Sequence, residues 1–289
     1  MANQIAPPVR RKPNFSRYRA LAILFILALA QSFPIISVRS QTYTHSILIE
    51  TFASTWCEPC RREQSTVQRF VENKSHLAHF IVYHLQDVWS TTDAVKRATE
   101  LGITFVPSHA YDGGYTRTSG AIVNESEMES AASRSVHLVE LTVGKAINGN
   151  TLSVQVAVAE RNAYSLSSEL VVYVVENKVL HEGALWNSVY RGQIVRQGLF
   201  LRPNSYEVIS GNWSIPPDTR SENLEVIAVA FDKSTSGKYG PYAIQSACSK
   251  DSEIAIPEFS GWLQLLVPSI VFMSAFILRR SHTRRSPTA

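Results

Sequence analysis

The order of apolar and polar positions divides the chain into four stretches. A predominantly apolar stretch lies near each end, at 20–38, where Gln31, Ser32 and Pro34 follow a short strongly apolar part, and at 259–278. Between residue 47 and about residue 135, short apolar runs alternate with segments of helical spacing. Ile47-Leu48-Ile49-Glu50-Thr51-Phe52 reads as a strand, and Val67, Phe70 and Val71 recur at helical spacing between Arg62 and Lys74. Phe80–Leu85 reads as a buried strand, and Thr92–Leu101 returns to helical spacing. Ala110–Tyr115 reads as a strand entering a tight turn, and Gly120–Ser135, rich in Glu and Ala, suits a closing helix.

After Ser135 the period drops to two. Val136–Val143, Thr151–Ala159, Glu169–Glu176, Tyr206–Trp213 and Leu224–Phe231 read as strands, with a hairpin turn at Asn148-Gly149-Asn150. The expected architecture is an α/β domain over 47–135 followed by an all-β sandwich of immunoglobulin or fibronectin type over 136–250, with a hydrophobic segment at each end.

Charge changes the reading of the two ends. Five cations precede residue 20 and four follow Leu278, with no acid in either tail, so of the net +4 nine positive charges are terminal and the body carries −5. A nucleic-acid footprint would need basic residues clustered on the folded part, and the sequence there has no such cluster. Basic tails at 1–19 and 279–289 are expected to stay in the cytoplasm, which exports everything between them. The 259–278 run has the length of a transmembrane helix. The 20–38 run is either a cleaved signal peptide, with Ala28-Leu29-Ala30 as an acceptable site, or an uncleaved anchor. Residues 39–46 and 251–258 read as linkers.

Chemistry concentrates in Thr55-Trp56-Cys57-Glu58-Pro59-Cys60-Arg61. A Cys-x-x-Cys turn between a strand and a helix start is a redox device, because unpaired amides and the positive end of the helix dipole favour a thiolate. Cys57 is then the nucleophile, and Cys60, one turn on, attacks a mixed disulfide there. Pro59 suits a first helical turn, and Trp56 offers a flat apolar cover. The bland alternatives are a redox-dead scaffold and half of a metal site. Zinc requires four ligands, whereas His76, His79 and His84 are poorly spaced and the third cysteine, Cys248, lies in the β-rich half. No metal or cofactor is expected.

Trp-Cys-x-Pro-Cys after a strand resembles the active site of the thioredoxin superfamily. Gly102-Ile103-Thr104-Phe105-Val106-Pro107-Ser108 resembles that family's segment in which a cis proline faces the cysteine pair, which implies a cis bond between Val106 and Pro107 and makes Pro107 a site residue. Two departures stand out. Glu58 occupies a position where the family carries Gly, and a carboxylate there disfavours the Cys57 thiolate, while Arg61 and Arg62 oppose it. The family's buried acid falls on Thr51, so Glu50 takes its place as proton shuttle only if the strand carries a bulge.

The order of the two halves, and the wording Val172–Glu176, Asn187–Gly192 and Asn223–Phe231, is similar to a family of exported thioredoxin-like proteins named after an outer-membrane protein. Ile256-Pro257-Glu258-Phe259, the apolar span and the Arg-rich tip are similar to the Pro-Glu-Phe sorting tails of archaeal surface proteins. A plain C-terminal anchor is the alternative, since Ser260 stands where a second proline is usual.

Together these resemblances imply a membrane-tethered, extracytoplasmic thiol-disulfide oxidoreductase. Its partners would be exported protein thiols and disulfides and a membrane electron donor or acceptor. The alternative is a redox-inactive envelope protein that binds or builds through its β-rich half, using aromatic residues such as Tyr173, Trp186, Tyr190 and Phe200.

Overall fold

The structure, a computed structural model, describes residues 44–73, 77–120 and 123–251. The two terminal apolar runs, both basic tails and most of the two linkers lie outside these residues. Among the described residues no helix is long and apolar enough to cross a membrane.

The fold is mixed α/β. The first half contains β1 (Ile47–Ala53), α1 (Glu58–Asn73), β2 (Ala78–His84), α2 (Thr92–Glu100), β3 (Ser108–Tyr111), β4 (Thr116–Ser119) and α3 (Glu125–Ala132). The expected order of elements is present. The closing helix is shorter than Gly120–Ser135 because Asn124 caps it, its side chain accepting the amide hydrogen of Ser126. Thr91 caps α2 in the same manner through the amide of Ala94.

β1 and β2 are parallel and wholly buried, with an unbroken register from Ile47↔Ala78 to Ala53↔His84. Side chains alternate across such a strand. Ile47, Ile49 and Ala53 therefore pack with Val67 and Phe70 of α1 on one face. Leu48 and Phe52 pack with Ala94, Ala98 and Leu101 around α2 on the other.

The second half contains β5 (Val139–Asn148), β6 (Thr151–Glu160), β7 (Leu166–Glu176), β8 (Val179–His181), β9 (Ala184–Trp186), β10 (Val189–Leu201), β11 (Tyr206–Ser214), β12 (Leu224–Gly237) and β13 (Gly240–Cys248). β5 and β6 meet through the two-residue turn Gly149-Asn150, where Gly149 has φ +55°. β5, β6 and β11 form a three-stranded antiparallel sheet. Val143, Val154, Val156 and Val158 of that sheet pack against Leu170, Val172, Val174, Val226 and Ala228 of a second sheet. Each of these Val and Leu side chains contributes about 1.5–3 kcal/mol when fully buried.

That second sheet does not stop at the change of period near Ser135. Its eight strands run β13-β12-β7-β10-β2-β1-β3-β4. β10 lies beside β2 in parallel, with Val189 opposite Val82 and the Val82 amide donating to the Ser188 carbonyl at 2.8 Å. The apolar layer beneath α2 correspondingly mixes residues of both halves, among them Phe52, Tyr83, Tyr173, Tyr190 and Phe231. Gly113, at φ +73°, allows the β3–β4 turn to approach β12 and β13, since a Cβ there would stand 3.1 Å from both Phe231 and the Pro241 carbonyl. Thr44 and His45, at the end of the stretch read as a linker, are tied in: the Thr44 hydroxyl donates to the Ala132 carbonyl, and His45 Nε2 pairs with the buried Asp112 at 2.8 Å.

Candidate active site

Chain direction places the cysteine turn where β1 leaves the sheet. The Cys57 amide donates to the Ser54 carbonyl at 3.1 Å, the Cys57 carbonyl accepts the Arg61 amide at 3.1 Å, and α1 begins at Glu58. Cys57 thus occupies the helix N-cap. Its Sγ performs the cap function, accepting the Cys60 amide at 3.2 Å. The two sulfurs are joined as a disulfide of 2.02 Å, with Cys60 fully buried and Cys57 5 % exposed. Both belong to the cluster formed with α1 and the inner face of β1.

The remaining expected site residues fall as follows. Glu58 and Pro59 are exposed in the first turn of α1. Trp56 is 60 % exposed, and its indole N–H donates to the Gln86 carbonyl at 3.2 Å. The Val106–Pro107 peptide is cis, Pro107 is buried, and its carbonyl accepts the Gly120 amide at 2.7 Å. Antiparallel pairing of Phe52 with Ser108 brings this segment to the end of β1 from which the cysteine turn leaves. Val106 packs against the cluster that contains both cysteines. A groove of about 380 Å³ runs from Ser54 and Trp56 to Phe105 and Val106, with Val95 and Ile103 on its wall.

Glu50 is a correction. β1 has no bulge against β2 or β3, so parity places Glu50 on the face opposite the cysteines. There its two carboxylate oxygens accept two hydrogen bonds from Arg97, at 2.7 and 2.8 Å, and it is fully buried. Burial works against the Arg97 charge, yet Glu50 outweighs it and raises the guanidinium further above its ordinary value. A carboxylate engaged on both oxygens, across the sheet, is not the proton shuttle of the disulfide.

Three further groups reach the site. Arg61 is drawn in two directions: its Nε donates to the Thr55 carbonyl at 2.6 Å and its terminal nitrogen pairs with Glu182 at 2.8 Å. Glu182 is the tip of the β8–β9 hairpin, so the second half of the chain contributes a wall beside the first. On the same flank Trp89 stands edge-on to His181, 5.0 Å between centroids, and Trp186 is fully buried in the cysteine cluster.

Asp87 forms the second group. It accepts the Thr55 amide at 2.7 Å and the Trp89 amide at 3.0 Å, and pairs with His84 Nδ1 at 2.6 Å. Burial pushes its pKa up, but these donors more than cancel that and hold it below the usual carboxylate value. The third group joins β1 and β3 to α1. His109 of β3 stands 3.1 Å from Thr51 through Nδ1 and 3.1 Å from Glu63 of α1 through Nε2. The only hint of it in the chain is the position of Glu63, one helical turn after Cys60.

Cys248 is buried in β13 with its Sγ 3.5 Å from Glu225. Burial, and next the Glu225 charge, push its thiol far up, which makes it inert as a nucleophile. Among the described residues no group of three His, Cys, Asp or Glu side chains is disposed to hold a metal.

No protein-family model matches the chain, and no curated protein matches it. Three solved structures illustrate the likenesses found. A domain of the outer membrane lipoprotein Omp28 from Porphyromonas gingivalis aligns over 38% of this chain and 84% of its own, at 12% identity and a TM-score of 0.27. The sporulation control protein Spo0M from Bacillus subtilis aligns over 47% of this chain and 55% of its own, at 11% identity and a TM-score of 0.26. Beta-glucuronidase from Bacteroides uniformis aligns over 37% of this chain at 11% identity and a TM-score of 0.27, and the match spans 12% of that enzyme's length. At such TM-scores none of them carries an argument.

Proposed function

We propose that the chain is a membrane-tethered, extracytoplasmic thiol-disulfide oxidoreductase, a thioredoxin-like domain followed by a β-sandwich, acting on the disulfides or thiols of exported proteins. The observation that carries this reading is the Cys57–Cys60 disulfide at the start of α1, with the Cys60 amide directed at the Cys57 sulfur. A helix start supplies donors and a positive field to whatever sits at its cap, so on reduction Cys57 is the sulfur that ionises. Exposed Trp56 and the groove towards Val106 give a polypeptide an apolar edge on which to lie beside it.

In the reducing direction, Cys57 thiolate attacks one sulfur of a client disulfide, and the other client sulfur leaves as a thiolate. Cys60 then attacks Cys57 Sγ, the Cys57–client bond breaks, and the second client sulfur departs. The dithiol has lost two electrons and the client disulfide has gained them. The reverse sequence oxidises a client. The electrons reside in the two sulfurs, so the exchange itself requires no cofactor.

The rival reading, a redox-inactive envelope protein binding through aromatic residues of the β-rich half, has less to stand on. Of those residues Tyr173, Trp186 and Tyr190 are core, and Phe200 alone is exposed. Reduction of insulin by the full-length protein, wild type against Cys57→Ser, separates the two. Turnover that disappears in the variant supports the oxidoreductase, and equal rates support the binding protein.

A further inference from the structure

A cavity of about 180 Å³ lies beside α2, on the face of the eight-stranded sheet away from the cysteine pair. Both halves of the chain build it, β2 and α2 from the first and β7 and β10 from the second. Drug-sized ligands occupy about 300–1,000 Å³, so this space suits one smaller molecule.

Its floor is aromatic. Tyr83, Tyr173 and Tyr190 are each more than nine-tenths buried. The ring centroids of Tyr83 and Tyr190 are 4.9 Å apart, and those of Tyr173 and Tyr190 are 6.4 Å apart. Phe231 of β12 and Pro241 of β13 add apolar surface beside them. The Tyr190 hydroxyl donates to Asp93 Oδ2 at 3.1 Å. The hydroxyls of Tyr83 and Tyr173 make no hydrogen bond to any described residue. Burial keeps both phenols protonated by pushing their pKa values up, so each offers an O–H and lone pairs but no charge. Enclosed hydroxyls with nothing to bond call for a partner.

The charges above that floor cancel. Three cations and three carboxylates line the cavity. Arg97 is engaged by Glu50 and, at 3.1 Å, by Glu100, while Arg196 pairs with Glu169 at 3.1 Å. Lys96, exposed at the rim, follows Asp93 by three positions and precedes Glu100 by four, spacings at which opposite charges on a helix attract. An ion of either sign entering here meets its like as well as its opposite, and gains little. A neutral ring with hydroxyls on its edge and C–H bonds on its faces meets no such conflict. Its faces rest on the aromatic floor, and its hydroxyls bond to the phenols and, more strongly, to the charged groups.

We propose that this cavity binds one pyranose ring of a neutral sugar, with Tyr83 and Tyr173 bonding its hydroxyls and the tyrosine rings carrying one of its faces. The site is separate from the cysteine pair and does not rest on the oxidoreductase reading.

Isothermal titration calorimetry of the full-length protein with glucose, galactose and mannose tests it, with choline and acetate as charged comparisons. At least one hexose should give saturable heat with a Kd on the order of millimolar, as befits so small a ligand, and neither ion should. The methyl glycoside of the hexose that binds then separates two sources: binding retained marks the end of a glycan chain, and binding lost marks a free sugar. Tyr83→Phe and Tyr173→Phe keep the ring and lose no hydrogen bond within the protein, and each should weaken binding about 10-fold, the scale of one hydrogen bond. Gln193→Trp, at the exposed rim of β10 opposite Tyr173, should close the mouth and abolish binding. Cys57→Ser should titrate like wild type. No saturation by any of the three hexoses, saturation by choline or acetate in their place, or an affinity unchanged in all three cavity variants overturns the proposal. Binding lost in Cys57→Ser would move the sugar to the cysteine face and overturn it as well.

Discussion

β1 separates two buried carboxylates. On the α2 face, Glu50 is held at both oxygens by Arg97. On the α1 face, the Thr51–His109–Glu63 array leaves one carboxylate oxygen bare. The two lie on either side of a single strand and differ in how completely their lone pairs are engaged. A closed pair of this kind contributes to the integrity of the layer beneath α2 and has nothing left with which to move a proton. An open one contributes less to stability and retains a vacant acceptor on α1, three residues after Cys60.

That contrast is tested first where the effect is largest. Arg97→Ala strands the Glu50 charge under α2 and should cost about 3–5 kcal/mol in urea unfolding, with insulin reduction per folded molecule unchanged. An equal loss of specific activity would give Glu50 a chemical part and erase the distinction. Asp87→Asn removes a carboxylate that organises Thr55, Trp89 and His84, and should cost about 1–3 kcal/mol at neutral pH.

The pH dependence of Asp87 has a definite sign. A carboxyl lowered by folding adds stability that is present above its unfolded value of about 3.9 and is lost as pH falls through its lower folded value. Wild-type unfolding free energy should therefore drop in that acid window, and the Asp87→Asn curve should be flatter there. Glu63→Gln puts an amide with two donors where Oε2 has no partner and should cost about 1–3 kcal/mol of unfolding free energy. A cost equal to that of Arg97→Ala would make Glu63 a structural residue.

The smallest stability effect belongs to Glu182→Ala, which removes an exposed partner of Arg61 and should cost about 0–1 kcal/mol. Its value is chemical. An Arg61 charge freed from Glu182 should speed alkylation of reduced Cys57 by iodoacetamide below pH 7 a few-fold, and added salt should abolish the difference. A rate unchanged at low salt would remove the β8–β9 hairpin from any influence on the sulfur.

Local patterns carried much of the reading. Val67, Phe70 and Val71 declared α1, and alternation from Thr151 to Ala159 declared β6, because each buries one face against a neighbour. β10 escaped notice since it is long and mostly polar or glycine between Arg191 and Gly198, and its place in the sheet is set by backbone pairing with β7. One of the joins between the halves is Val189 meeting Val82, a contact between residues 107 positions apart that no local period encodes. The cysteine turn was legible because its chemistry is contiguous. Glu50 stands one step of parity from the family's acid position, which without a bulge is a whole face, and Glu63 with His109 required knowing that β3 lies under α1.

One consequence follows from β2 having β10 as its outer neighbour. A fragment ending near Ser135 would present that flank of β2 as a raw edge and strip the α2 side of Tyr173, Tyr190 and Phe231. Such a fragment invites intermolecular strand pairing. The half that carries the cysteine pair is thus not a detachable cassette, and heat or denaturant should melt both halves in a single cooperative event.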